Sequence, residues 1–393
     1  MRCFEYLKKF NESLNDIDSI CEKYSIVNYT INGDGSIDVV GDVNLTDRGL
    51  SKLPLKFGSV GGNFYCHDNQ LTTLEGAPKS VGGSFYCQYN QLITLEGAPE
   101  SVNENFYCYN NQLTSLKGAP KSVGGDFYCN NNQLTSLKGS PKSVGEYFYC
   151  QNNELITLEG APESVGRSFY CYNNQLTSLR GAPKSVGWDF NCSANKLTSL
   201  EGAPESISGD FYCLNNKLTS LRGAPKSVGG SFNCSDNKLR SLKGSPKSVG
   251  VGFHCYGNQI TSLRGAPKSV GGDFSCSNNK LTTLEGAPEF VGGEFYCYNN
   301  ELTSLDGAPR SVGEGFNCRK NQLTSLRGAP KSVGGDFSCS NNKLISLEGS
   351  PEFIGRNFYC DGNPVESIWK LFKDYSKVEI LNDYDVIRDD KVI

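Results

Sequence analysis

Apolar and polar positions return every 21 residues along most of this chain, from Phe64 to Phe358, without an insertion or a deletion. One period reads Phe127-Tyr128-Cys129-Asn130-Asn131-Asn132-Gln133-Leu134-Thr135-Ser136-Leu137-Lys138-Gly139-Ser140-Pro141-Lys142-Ser143-Val144-Gly145-Glu146-Tyr147. Phe127 and Cys129 alternate with polar or aromatic neighbours, the period of two that marks a short strand. Leu134, Leu137 and Val144 complete the inward face. Gly139 and Pro141 exclude a regular helix on the return path and predict a turn followed by an extended segment. A fixed repeat of this length predicts a solenoid, in which each unit buries its apolar face only against its neighbours. Burying these five apolar side chains per unit contributes ~7–15 kcal/mol before chain entropy opposes it.

A solenoid has open ends that need covering. The pattern predicts an N-terminal cap over 1–57, with a degenerate repeat starting near Val43. The repeat array then occupies 58–364, and a C-terminal helical cap and tail occupy 365–393. In the first cap, Phe4, Leu7 and Phe10 suggest one short helix. Asp16 is placed to cap a second, bearing Ile17, Ile20, Cys21 and Tyr24. Tyr29-Thr30-Ile31 and Ile37-Asp38-Val39 then flank Asn32-Gly33-Asp34-Gly35-Ser36, a hairpin signal. That turn lacks the Gly and Glu positions of a calcium loop. At the other end Val365, Ile368, Leu371, Phe372 and Tyr375 keep helical spacing, and a strand is expected at Val378-Glu379-Ile380-Leu381.

The repeat resembles the leucine-rich repeat family. That family's Leu-x-Leu-x-x-Asn-x-Leu core appears here as Phe127-Tyr128-Cys129-Asn130-Asn131-Asn132-Gln133-Leu134. The continuation through Leu137, Pro141 and Val144 is similar to the short repeats of secreted bacterial effectors. The layout of caps and repeats is similar to leucine-rich repeat proteins encoded by large tailed phages. The resemblance implies a curved arc with a parallel β-sheet on its concave face. It also implies mostly irregular or extended convex segments and small helical caps at both ends. Asn69 and its equivalents up to Asn363 follow the strand by three residues, where an amide can bond the backbone of the turn and of the next unit. In the family this column forms an asparagine ladder.

Charge, cysteine usage and motifs narrow the function. Lys and Arg total 38 and Asp and Glu total 42, a net of -4, which argues against a large nucleic-acid footprint. No apolar run approaches the ~20 residues that span a membrane. The charged start, from Met1 to Lys9, lacks the apolar stretch of a signal peptide. The expectation is a cytoplasmic protein, in the host-cell cytoplasm if phage-encoded. The 17 cysteines are odd in number, and those of the repeat occupy an inward column, so reduced thiols are expected rather than a disulfide framework. There is no Cys-x-x-Cys pair and there are only 2 histidines, so no metal site and no cofactor are expected. A phosphate-binding loop, a His-Glu-x-x-His sequence and a nucleophile elbow are all missing, so no catalytic residue is assigned.

The remaining candidates lie outside the core. The position between Phe and Cys points outward and carries Tyr86, Tyr107, Tyr128, Tyr149, Tyr170 and Tyr212, with Tyr109 and Tyr172 just after Cys. This stripe serves either as a cross-strand aromatic ladder or as a partner-binding surface, and the two uses are compatible. On the return segments Glu96 and Glu100 face Lys117 and Lys121 of the next unit, an arrangement that favours lateral ion pairs. The alternation breaks at Arg222, Lys226, Lys243, Lys247, Arg264 and Lys268. That run is either drift on a solvated face or a contact site for an acidic or nucleic-acid partner. The reading is a non-enzymatic, protein-binding scaffold that uses a rigid concave surface. The alternatives are a self-associating virion or surface protein, and carbohydrate or nucleic-acid binding through Tyr stacking and the basic segment.

Overall fold

Each 21-residue unit folds into one coil with two short strands. The first strand arises where Phe127 and Cys129 point inward and Tyr128 outward. Phe127–Tyr128 pairs in parallel with the strands on both sides, Phe127 lying opposite Phe106 and Phe148. The Cys129 N–H donates to the Tyr149 carbonyl at 2.9 Å. Phe127, Cys129, Leu134, Leu137 and Val144 are each at most 2% exposed. Phe rings stack along the core at 5.2–5.4 Å from Phe85 to Phe169.

The second strand was not expected as a strand. The return segment turns at Gly139, whose φ of 93° only glycine adopts freely. Ser143–Val144 then pairs in parallel with Ser122–Val123 and Ser164–Val165. Val144 points into the core and Ser143 into solvent. Gly145 donates to the Val123 carbonyl at 3.0 Å. A Cβ on Gly145 would collide with the carbonyl oxygen of Gly124, which explains why glycine follows valine in most coils. The extended return path is therefore organised by pairing across coils.

The computed structural model describes residues 16–365 and, beyond them, the strands Val378–Leu381, Asp385–Arg388 and Lys391–Val392. The chain divides into two units, Met1–Asp189 and Phe190–Ile393. In the first, residues 16–23 form a helix that buries Ile17 and Cys21 and half-buries Ile20, and Tyr24 follows half-buried in the turn. Asp16 already lies within this helix, which corrects its assignment as the preceding cap. The helix expected over Phe4, Leu7 and Phe10 lies outside the described residues.

Tyr29–Ile31 and Ile37–Val39 form an antiparallel hairpin. Its turn is closed by Asp34, which accepts from the Ser36 N–H and hydroxyl and pairs with Lys56 at 2.7 Å. Ile37–Val39 then pairs in parallel with Phe57–Val60, starting the Ser–Val ladder, and Val43–Asn44 pairs with Phe64–Tyr65, starting the Phe–Tyr ladder.

The second unit repeats the coil from Phe190–Asn191 to Phe358–Tyr359. Its last strand pairs antiparallel with Asp385–Arg388, where Asp385 lies opposite Tyr359. Asp385–Arg388 also pairs antiparallel with Val378–Leu381, the segment expected to be a strand. The tail thus lays a reversed strand on the ladder's terminal edge. The helix expected over Ile368, Leu371, Phe372 and Tyr375 lies outside the described residues.

Candidate functional site

In the first unit Tyr65, Tyr86, Tyr107, Tyr128, Tyr149 and Tyr170 form one continuous stack. Parallel register sets each ring opposite the next, with centroids 4.4–5.1 Å apart and planes within 7–17°. The rings are half-buried and spend their faces on one another, leaving edges and hydroxyls toward solvent. A base or sugar ring inserted between two of them would need roughly 7 Å, two van der Waals contacts of ~3.5 Å. Tyr109 widens the stripe, standing edge-on to Tyr107 at 6.4 Å and to Tyr128 at 6.3 Å. Tyr172 is half-buried in the same column as Tyr109. Tyr212 belongs to the second unit, where Asn191 and Asn233 stand opposite it in the flanking strands.

Carboxylates border this face, and the sequence reading missed them. At the position before Phe stand Asp126 and Asp189 in the first unit, and Asp210, Asp273, Glu294 and Asp336 in the second, with Ser, Asn, Gly or Tyr in the other coils. No Lys or Arg occupies that column from Asn63 to Asn357, the signal that was available. Tyr128 donates to Asp126 at 3.1 Å, Tyr170 to Asp189 at 3.2 Å and Tyr212 to Asp210 at 2.6 Å. Burial, and then Asp126 beside it, pushes the Tyr128 hydroxyl well above the ordinary tyrosine range. Burial and the neighbouring Tyr86 push Tyr107 up to about 12, and burial does the same for Tyr149.

The basic segment is not one free patch. Arg222 pairs with Glu201 at 2.7 Å, Lys226 with Glu205 at 2.9 Å and Arg264 with Glu285 at 2.6 Å. These are the same exposed pairs between coils that join Lys117 to Glu96 and Lys121 to Glu100. Lys243, Lys247 and Lys268 are exposed and form no ion pair among the described residues. His254 lies apart, on the Phe–Tyr strand, where burial lowers its pKa.

The repeat cysteines offer no nucleophile. The Cys129 thiol donates to the Tyr149 carbonyl at 3.3 Å, and burial pushes it far above the ordinary thiol range. Among the described residues no group of three or more His, Cys, Asp and Glu side chains is placed to hold a metal ion. Among them too, no helix is long and apolar enough to cross a membrane.

Beneath the outward face an asparagine amide, buried in most coils, follows each Phe–Tyr strand. Asn132 donates to the carbonyls of Cys129 and Asn130 in its own coil, at 3.2 Å each. It also donates to Cys108 of the previous coil at 3.1 Å, and its oxygen accepts the Leu113 N–H at 3.0 Å. Asn153 and Asn237 repeat the same four bonds. This is the leucine-rich repeat fold.

Leucine-rich repeat proteins of known structure resemble the chain over most of its length. YopM from Yersinia pestis is 22% identical, covers 80% of this chain and 88% of its own, and has a TM-score of 0.46. A leucine-rich repeat protein of Leptospira interrogans is 17% identical, with 84% and 93% covered and a TM-score of 0.43. The functional domain of InlJ from Listeria monocytogenes, which includes a cysteine ladder, is 16% identical, with 83% and 80% covered and a TM-score of 0.40. The sequence matches no protein-family model and no curated protein. In this array Phe and Cys take the two strand positions where the leucine-rich repeat core sequence carries leucine.

Proposed function

We propose that the chain is a non-enzymatic repeat scaffold that binds a protein partner through the tyrosine stripe of its first unit. The observation that carries this reading is the unbroken, half-exposed stack from Tyr65 to Tyr170. Tyrosine brings large contact area at low entropic cost and is enriched where proteins bind. Rings already held by their neighbours lose little freedom when a partner arrives. Tyr109 broadens the patch, and Asp126 and Asp189 add acceptors along its border. Stacking on sugars or bases needs ring faces, which this stripe spends on itself, so the carbohydrate and nucleic-acid alternatives gain no support from it.

The test compares wild type with a protein carrying Tyr128→Ala, Tyr149→Ala and Tyr170→Ala in affinity capture from nuclease-treated lysate of the native source. A buried interface tyrosine contributes about 2 kcal/mol, so the triple variant is expected to lose its partner while still unfolding cooperatively. Equal capture by a folded variant would reject the stripe. Sedimentation over a range of concentrations separates this reading from self-association.

A further inference from the structure

The second unit carries a gap in the aromatic column. Tyr296, Asn317, Ser338 and Tyr359 lie opposite one another in successive strands. Two rungs therefore lack a ring, and Tyr296 and Tyr359 stand about 14 Å apart, three strand spacings. A cleft of about 480 Å³ occupies this place, with the two tyrosines at its ends. Two planar groups fit where the first unit would have two tyrosine rings.

The cleft is negatively charged. Glu294, Asp336 and Asp361 line it. Burial raises the Glu294 carboxyl above its ordinary range, and Glu314, Asp273 and Asp336 around it raise it further. Asp336 accepts the Asn357 N–H and side-chain amide through one oxygen. Its other oxygen takes no hydrogen bond among the described residues. Arg319 and Lys320 line it as well, so its three carboxylates and two cations leave a formal charge of -1. Arg319 lies over the Tyr298 ring at 4.9 Å, and neither it nor Lys320 forms an ion pair among the described residues.

We propose that this cleft binds an arginine side chain of a basic protein segment. A guanidinium is flat enough to stack on Tyr296, carries the charge that Glu294 and Asp336 lack, and meets a carboxylate with two parallel hydrogen bonds. A lysine ammonium satisfies the charge but not the shape. The site is separate from the stripe of the first unit and stands or falls without it.

Fluorescence anisotropy with a labelled peptide of alternating glycine and arginine tests the site on the full chain. Its citrulline version keeps the planar shape without charge, and its lysine version keeps charge without the plane. The arginine peptide is expected to bind about tenfold more tightly than either, the scale of one cation–π contact with charge-assisted hydrogen bonds. The double substitution Asn317→Tyr and Ser338→Tyr fills the gap with the rings that other coils carry, and should weaken binding at least as much. Should that protein fail to fold, Glu294→Gln with Asp336→Asn serves the same purpose. The triple stripe variant should bind the peptide as wild type does. No binding of the arginine peptide, equal binding of the citrulline peptide, or affinity unchanged in folded cleft variants would each overturn the proposal. Binding of a neutral oligosaccharide at the cleft in place of the peptide would overturn it as well.

Discussion

Asn152 and Asn153 are neighbours with unequal duties. Asn153 is buried and donates to the carbonyls of Cys129, Cys150 and Gln151 while accepting the Leu134 N–H. Asn152 is exposed, holds a left-handed φ of 56°, and donates its amide to Asn131. Replacing Asn153 by Ala orphans several buried backbone groups and should cost ~3 kcal/mol or more. Replacing Asn152 by Ala should cost about 1–2 kcal/mol, the left-handed penalty, and replacement by Gly much less. Urea unfolding of the three variants checks the order, and equal losses for the two Ala variants would contradict it. In the sequence the two columns look alike, because both are mostly asparagine. The ladder column was legible from its spacing to the strand, whereas the backbone angle that explains the column before it was not. Tyr89, Ala194 and Lys320 stand in that left-handed column too, so residue type alone did not mark it.

At the scale of the element, the Phe–Tyr strand was readable because Phe127, Tyr128 and Cys129 alternate. Ser143–Val144 was not, because a two-residue strand shows no period, and its partners lie 21 residues away. The turn before it makes the stronger claim on stability. Gly139 has a φ of 93°, and a Cβ there would meet the Leu116 carbonyl oxygen at 2.8 Å. Gly139→Ala should therefore destabilise by about 2 kcal/mol. Lys121→Ala removes only an exposed pair with Glu100 and should matter much less. The same unfolding assay ranks them, and a larger loss for Lys121→Ala would refute the ranking. The stripe was legible as a column of tyrosines and as a cross-strand ladder, but the near-parallel ring planes were not. Asp126, Asp189 and Glu294 were overlooked because they alternate with Ser, Asn, Gly and Tyr in their column. The pairing of Arg222, Lys226 and Arg264 with glutamates of adjacent coils was not legible in the run of basic residues itself.

For the whole molecule, the near-balance of charge conceals a segregation. The column before Phe holds carboxylates and no Lys or Arg, while the return segments mix both signs and pair many of them across coils. The stacked thiols and phenols impose a pH limit. Burial raises Cys66 and Cys129 above 9.0 and Tyr107 and Tyr149 above 10.0. A raised folded pKa contributes stability that is complete below the unfolded value and is lost as pH rises toward the folded one. Each thiol that ionises only on unfolding costs about 1.4 kcal/mol per pH unit in that window. The melting temperature should stay level to about pH 8.5 and then fall steeply, with many such groups acting together. A level melting temperature through pH 10.5 would show that these groups are not buried together. The constant offsets of the amide ladder have a further consequence, for heredity. Asn132 and Asn153 reach back 24 residues to a cysteine carbonyl and accept from a leucine amide 19 residues earlier. Slippage in the gene that removes 21 codons rejoins the same partners and leaves no scar. A single inserted codon misaligns every bond that crosses it, so the gene can change length readily only in whole turns.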